Sequence, residues 1–313
     1  MNKRRLGKSD LEVSEIGLGC NNFGYVKALD VNETRRIVHR AFDCGINFFD
    51  TSDSYGDSEE FLGQILGNHR PRIVLATKFG SQLDSEGKKK GASRNYILSA
   101  VDASLSRLKT EWIDLYQLHR PDPDTPMEET LRALEQLIQQ GKVRYIGCSN
   151  LSAEQLAEAE EISARLGLHH FVTSQDEYSL VVRGIEKEHL PAIEKFGMSQ
   201  LPYFPLASGL LTGKYKRQQE PTPGTRFAEK PALGQRYATP ENWEKVHKLT
   251  EFASRHGHTL LELAFSWLLS HKVVDSVIAG ATKPEQVESN SKAGNWKLRR
   301  EELEEIDRIT ASD

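Results

Sequence analysis

Asn47-Phe48-Phe49-Asp50-Thr51-Ser52-Asp53-Ser54-Tyr55-Gly56 changes character within ten residues. Its first half reads as a short buried strand, Ile46 to Phe49. It then turns polar and delivers an acid, Asp50, and a tyrosine, Tyr55, and a helix start follows at once. A strand that ends by handing ionisable groups to a loop is how a parallel α/β protein builds a site. Two later strands end the same way. Ile73-Val74-Leu75-Ala76-Thr77 runs into Lys78, and Asp114-Leu115-Tyr116-Gln117-Leu118 runs into His119.

Outward from this stretch one unit recurs: an apolar run, a polar tip, a helix N-cap, an amphipathic helix and a glycine. Asp30-x-x-Glu33, Asp57-x-x-Glu60, Ser152-x-x-Gln155, Thr259-x-x-Glu262 and Thr282-x-x-Glu285 have capping-box spacing or its Asp variant, and Thr125-Pro126 adds a proline at a first helical position. The spacing predicts helices over about 31–44, 58–66, 94–109, 126–140, 153–166, 184–196, 242–256, 260–271 and 300–310. It predicts strands over about 14–18, 46–50, 73–77, 113–118, 144–148, 171–175, 200–204 and 275–279. Eight strands alternating with helices imply a parallel sheet, closed as a (β/α)8 TIM barrel with residues 1–313 as one domain; an open doubly wound sheet is the alternative. Residues 3–13 read as a β-hairpin around Gly7-Lys8-Ser9-Asp10. Arg217 to Tyr237, rich in proline, glycine and charge, reads as a long loop, as does Gln82 to Gly91.

The composition, 38% hydrophobic and 27% charged with a net charge of -4, is that of a globular protein and calls for neither nucleic acid nor a membrane surface. Three cysteines without a C-x-x-C argue against a disulfide framework or a zinc site, so no metal is expected. The basic start, Met1 to Gly7, has no apolar stretch behind it, and a cytoplasmic protein is expected.

Taken singly, the strand-end residues have plain explanations. Asp50 could cap a turn, Tyr55 could pack, and a lone His119 is usually structural; Lys78 is costly after an apolar strand unless paired. Together they are harder to dismiss, because all strand C-termini of a barrel lie on one rim. A lysine beside a phenol favours the phenolate and is expected to lower its pKa. The carboxylate would hold the lysine charged, and the histidine could orient a carbonyl or relay a proton. This set suits proton donation to an oxygen becoming an alkoxide. It lacks the nucleophile of acyl transfer and the paired carboxylates of glycoside cleavage.

Reduction of a carbonyl also needs a hydride, which no side chain supplies, so a nicotinamide site is expected. Gly17-Leu18-Gly19-Cys20-Asn21-Asn22-Phe23-Gly24 has the wrong spacing for a dinucleotide-binding fingerprint. Better candidates are Ser149, Asn150 and Gln175 at strand tips, whose amides and hydroxyls could hold a carboxamide. Tyr203 could offer a ring face, or simply pack. Gly280-Ala281-Thr282-Lys283-Pro284, before a capped helix, suits an anion.

With these residues assembled, the chain resembles the aldo-keto reductase family over about residues 3–310. The resemblance is carried by Leu11 to Gly19, Phe49-Asp50-Thr51 with Tyr55-Gly56, Ala76-Thr77-Lys78, Leu115 to His119, Gly147-Cys148-Ser149-Asn150, Pro205 to Leu211, and Gly280 to Asn290. It implies a barrel with the hairpin across its bottom, NADPH extended over its top, and a small carbonyl compound as substrate. The implied catalytic tetrad is Asp50, Tyr55, Lys78 and His119, with Tyr55 as general acid. Nicotinamide contacts would fall on Ser149, Asn150, Gln175 and Tyr203. The pyrophosphate would lie near Leu206, Ser208, Gly209 and Leu211 under the 217–237 loop, and the adenosine end near Gly280, Thr282, Lys283, Gln286 and Asn290.

Gln286 and Ser289 stand where many members carry an arginine and an acid, so Lys283 is expected to take the 2′-phosphate and NADH stays open. Phe204 replaces a smaller polar residue of many relatives. Pocket walls are expected from Phe23, Tyr25, the 79–93 and 120–125 loops and the carboxyl-terminal region. The short stretch from 310 to Asp313 is expected to leave the pocket open. The alternatives are a cofactor-sensing binding protein of the same fold, as in channel-subunit relatives, and a barrel enzyme without cofactor. The sequence leaves the physiological substrate and oligomeric state open.

Overall fold

The computed structural model describes residues 1–26 and 29–311, with the side chains of Tyr25 and Val26 outside the description; the pocket-wall expectation for Tyr25 and the tail at Ser312 and Asp313 therefore fall outside it. Strands β1 (Lys3–Arg5) and β2 (Glu12–Ser14) pair antiparallel, Lys3 opposite Ser14. The barrel unit then runs β3 (Ile16–Gly19), α1 (Val31–Asp43), β4 (Phe48–Asp50), α2 (Ser58–Ile65), β5 (Val74–Phe79), α3 (Arg94–Leu108), β6 (Ile113–Leu118) and α4 (Met127–Gln139). It continues through β7 (Val143–Ser149), α5 (Ala153–Leu166), β8 (Phe171–Glu177), α6 (His189–Phe196) and β9 (Ser199–Tyr203). The remainder is α7 (Arg226–Glu229), α8 (Pro231–Tyr237), α9 (Pro240–Arg255), α10 (Leu260–Ser270), β10 (Val277–Gly280), α11 (Pro284–Ala293) and α12 (Arg300–Thr310).

Eight strands pair in parallel in the order β10-β3-β4-β5-β6-β7-β8-β9. The ring closes at a thin seam, where Gln200 of β9 bridges Val274 and its N–H donates to the Val273 carbonyl at 2.7 Å. This is the (β/α)8 barrel that the alternation predicts. No helix among the described residues is long and apolar enough to cross a membrane.

Caps explain where several helices start. Asp30 with Glu33, Ser152 with Gln155 and Thr259 with Glu262 each form a reciprocal capping box, worth about 1 kcal/mol apiece. Two spacings mislead. Asp57 precedes α2 without a side-chain cap bond. Thr282 lies one residue too early: α11 starts at Pro284, and the Thr282 N–H and hydroxyl donate instead to the Gln286 side chain. The segment 217–237, read as loop, carries the two short helices α7 and α8.

The barrel interior is filled from below. Phe48, Val74, Ala76, Leu115, Val172, Leu201 and Ile278 form its apolar layer, and hairpin residues Leu6, Leu11 and Val13 plug it. Gly7, in the left-handed region at φ 48°, lets the turn sit against the strands; a Cβ there would run into the Val172 carbonyl oxygen. Arg4 fixes the hairpin to the seam. It pairs with Glu15 at 2.7 Å and donates to the carbonyls of Leu269 and Val274 at 3.0 and 2.9 Å.

Candidate active site

Side chains alternate along a strand, so two residues above the apolar layer the same face continues from Phe48 to Asp50, from Ala76 to Lys78 and from Leu115 to Gln117. That next layer is polar and buried. The Lys78 ammonium, completely inaccessible, donates to Asp50 Oδ2 at 2.5 Å and to the Thr51 carbonyl at 3.0 Å. Asp50 Oδ1 accepts from Gln117 Nε2 at 3.1 Å and from Gln175 Nε2 at 2.8 Å. Both carboxylate oxygens are therefore satisfied, the condition for keeping a charge out of water.

The loop after β4 is held as firmly. Past Asp50 the chain goes on donating to β5, Thr51 N–H to the Ala76 carbonyl and Asp53 N–H to the Lys78 carbonyl. The Thr51 and Ser58 hydroxyls lie 2.8 Å apart, and Ser58 reaches the Cys20 carbonyl at 3.0 Å. This carries Tyr55 over the buried pair: Lys78 Nζ lies 5.1 Å from the centre of its ring, close enough for its charge to act on the phenol. His119, one residue past β6, meets the Tyr55 ring edge-on at 5.8 Å between centroids.

Burial pushes the Tyr55 hydroxyl above its ordinary pKa; Lys78 acts the other way, but the Asp50 carboxylate that holds Lys78 also opposes ionisation. The expected lowering is thus reversed in net sign, and the phenol keeps its proton at neutral pH. Burial works to lower the Lys78 ammonium, and Asp50 and Tyr55 outweigh it, leaving the group above the usual lysine range. His119 is pushed down to about 3 by burial, with Lys78 and Arg120 adding to the effect, so its ring is neutral. Its Nδ1 faces three hydroxyls, Ser81 at 3.0 Å, Ser52 at 3.1 Å and Ser54 at 3.5 Å.

Beside this group stand the strand tips. Ser149 donates to the Gln175 carbonyl at 2.6 Å. Asn150, at φ 60°, donates to the His119 carbonyl at 3.2 Å and to Ser149 Oγ at 2.8 Å, and accepts from the Tyr203 hydroxyl at 2.8 Å. Gln175 spends its amide on Asp50, a contact the sequence does not announce. After β9 the backbone takes an unusual path. Phe204, Ala207, Ser208 and Gly209 all have positive φ, between 44° and 101°, a conformation non-glycine residues adopt only when held there. The Ser208 hydroxyl in this turn is buried without a partner, and a Cβ at Gly209 would fall 2.9 Å from the Lys214 side chain.

The segment carrying α7 and α8 crosses this turn. Arg226 donates to the Asn22 side chain at 2.7 Å, Phe227 stacks on Tyr215 at 4.2 Å, and Arg236 and Tyr237 both bind Glu177. Opposite, Gly280 ends β10, Lys283 is exposed and forms no ion pair among the described residues, Gln286 accepts from Thr282, and Asn290 is buried. Among the described residues no group of three or more His, Cys, Asp or Glu side chains is set to hold a metal ion.

Sequence reasoning missed Gln117 and the serines around His119. Gln117 was findable, since it lies two positions before His119 on a strand and therefore on the same face. Ser52 and Ser54 lie within the opening stretch, but nothing in their spacing says that they turn to an imidazole 67 and 65 residues away.

Known proteins are similar to the chain over most of their length. The chain is 38% identical over 304 residues to a probable voltage-gated potassium channel subunit beta of Oryza sativa subsp. japonica, covering 94% of this chain and 91% of that one. It is 35% identical to the L-glyceraldehyde 3-phosphate reductase of Escherichia coli O157:H7, covering 99% and 93%. It is 31% identical to the versiconal hemiacetal acetate reductase of Aspergillus parasiticus, covering 98% and 96%. The sequence model of the Aldo/keto reductase family matches residues 15–311, nearly the whole barrel with every strand-end residue described above, and the chain belongs to that family.

Proposed function

We propose that this protein reduces small aldehydes or ketones to alcohols with a nicotinamide cofactor, Tyr55 giving the proton to the carbonyl oxygen. One observation carries the reading: a phenol that keeps its proton, its ring 5.1 Å from a buried ammonium that is itself held by a fully satisfied carboxylate. As charge grows on a carbonyl oxygen beside Tyr55, the phenol can release its proton because Lys78 stabilises the phenolate left behind. Neutral His119 can hold the same oxygen by a hydrogen bond, and so fix which face of the carbonyl is presented.

The residues of the barrel top fit such a cofactor. The orphaned Ser208 hydroxyl lies in a turn whose positive-φ residues suit close approach of a pyrophosphate. Ser149, Asn150, Gln175 and Tyr203 would hold the nicotinamide, Leu206, Ser208, Gly209 and Leu211 the pyrophosphate, and Gly280, Thr282, Lys283, Gln286 and Asn290 the adenosine end. Bound there, the cofactor supplies the hydride. The uncommitted charge of Lys283 favours NADPH over NADH.

The test is NADPH oxidation followed by absorbance with a panel of simple, aromatic and phosphorylated aldehydes. A phosphorylated substrate is worth including because one relative is named for glyceraldehyde 3-phosphate and Arg120 is exposed next to His119. Tyr55→Phe is expected to lower turnover by about 10²–10⁴-fold while NADPH still quenches tryptophan fluorescence. Equal loss of turnover and binding would overturn the role of Tyr55. A second reading is a binding protein of the same fold that senses the cofactor; one relative is named as a channel subunit and not as a reductase. Tight NADPH binding without turnover across the panel would favour it.

A further inference from the structure

Asp53, three residues beyond Asp50 in the same loop, is half-buried. Its Oδ1 lies 3.2 Å from Ser52 Oγ, and Ser52 Oγ lies 3.1 Å from His119 Nδ1. Ser52 is wholly inaccessible. Asp53 Oδ2 is buried with no partner, as are the hydroxyls of Tyr96 and Tyr116. A buried chain thus links a carboxyl to the nitrogen of His119 that faces away from substrate. Among the described residues no hydrogen bond engages Nε2, the nitrogen left to meet a carbonyl or alcohol.

The surroundings favour a carboxyl that changes state. Glu59 from α2 faces Asp53, but its own oxygens are taken by the Thr77 hydroxyl at 2.5 Å and by Arg107 of α3 at 2.7 Å. Among the described residues no cation pairs with Asp53 itself. Burial, with Glu59 adding to it, pushes Asp53 up to about 7, against the pull of Ser52, Arg107 and the Ser54 N–H. Tyr96 of α3 and Tyr116 of β6 face it as neutral phenols, held up by burial and by Asp53 itself; Asp84 acts on Tyr96. Lys78 and Arg120 bear on His119 at the other end.

We propose that Ser52 and Asp53 are positioning residues that select the tautomer of His119. With Asp53 protonated, its O–H donates to Ser52 Oγ, the Ser52 O–H donates to Nδ1, and the imidazole proton sits on Nε2. With Asp53 ionised, the Ser52 O–H turns to Oδ1, Nδ1–H donates to Ser52 Oγ, and Nε2 becomes an acceptor. The change balances as one proton. Asp53 passes its proton to Ser52, Ser52 passes its own to Nδ1, and the Nε2 proton leaves to solvent. Ser81 and Ser54 can donate to a bare Nδ1 or accept from a protonated one, so they support both states; Ser54 Oγ also lies 2.9 Å from Ser52 Oγ, but among the three hydroxyls Ser52 alone contacts the Asp53 carboxyl. A donating Nε2 suits a bound carbonyl and an accepting Nε2 suits a bound alcohol, so the same pair biases the site toward reduction at lower pH and toward oxidation at higher pH.

The catalytic consequence rests on the proposed reductase reading, but the tautomer does not, and it is measured on the protein alone. Histidine-labelled protein would be followed by ¹⁵N–¹H correlation between pH 5.5 and 8.5, with His119→Gln identifying the resonances. Nδ1 is expected to move from pyridine-type to pyrrole-type and Nε2 the reverse. One unit either side of the midpoint, the tautomer ratio should have changed about tenfold. Asp53→Asn, which cannot titrate, should hold one tautomer throughout, whichever end of its amide meets Ser52. Ser52→Ala should leave a tautomer that no longer follows pH, and it serves if Asp53→Asn fails to fold. A wild-type tautomer constant over the range, or a change that survives in either variant, overturns the proposal whether or not the protein reduces carbonyls.

Discussion

Asp50 and Asp53 stand three residues apart, the first buried and the second half-buried with one oxygen inaccessible, and the protein treats them in opposite ways. Asp50 meets Lys78, Gln117 and Gln175, so both its oxygens are filled. Asp53 has Ser52 on one oxygen, while its other faces neutral phenols and no cation or amide side chain among the described residues. Complete pairing lets Asp50 anchor a cation; desolvation without a cation raises Asp53 to about 7. The first is useful for holding an ammonium under a phenol. The second is useful only where protonation is meant to change.

The hardest blow to this contrast is Lys78→Met, which strands the Asp50 carboxylate as Asp53 is stranded now. It should cost about 3–5 kcal/mol in urea unfolding. A loss below about 1 kcal/mol would show that the two acids are not so different. Next comes Asp53→Asn. A carboxyl whose pKa rises from 3.8 to about 7 on folding favours the fold while protonated. Stability therefore falls as pH climbs from about 4 through 7 and levels off above. Between pH 5 and 8 the wild type should lose about 2–3 kcal/mol that Asp53→Asn does not lose, as read from unfolding midpoints. Parallel pH profiles would mean that Asp53 ionises as if in water. The smallest effect is expected from Gln117→Leu, which removes one of two amide donors from Asp50 Oδ1. Gln175 still serves that oxygen, so about 1–2 kcal/mol should be lost; a loss as large as that of Lys78→Met would make the amide as necessary as the cation.

Most of the barrel was readable because its information is local. Apolar runs of strand length alternate with caps such as Ser152 with Gln155, and each cap fixes its own helix start within four residues. That Asp50, Tyr55, Lys78 and His119 come together was readable for a similar reason: Lys78 and His119 stand at the ends of apolar strands, and barrel geometry brings such positions to one rim. What failed depended on distant partners. Thr282 has the spacing of a cap but finds Gln286 first. The helices α7 and α8 are hidden by their prolines and glycines, and they are held where Arg226 meets Asn22 across the barrel top, 204 residues away. The sign at Tyr55 was misjudged because a sequence shows which charge stands beside the phenol and not how deeply the phenol is buried.

The contacts of Arg4 also say something about the order in which the molecule forms. Its guanidinium bonds carbonyls 265 and 270 residues downstream, at the seam where the strand ladder is thinnest. Neighbouring β/α units can pair as they are made, since their contacts are short-range. The seam instead closes a loop of nearly the whole chain, whose entropy must be met before any of its bonds form. Ring closure is thus expected to be the slow event in folding, and until residues 277–280 have been synthesised β3 has no strand partner on one side. The hairpin that later plugs the floor waits through the same interval, its arginine unable to reach its acceptors.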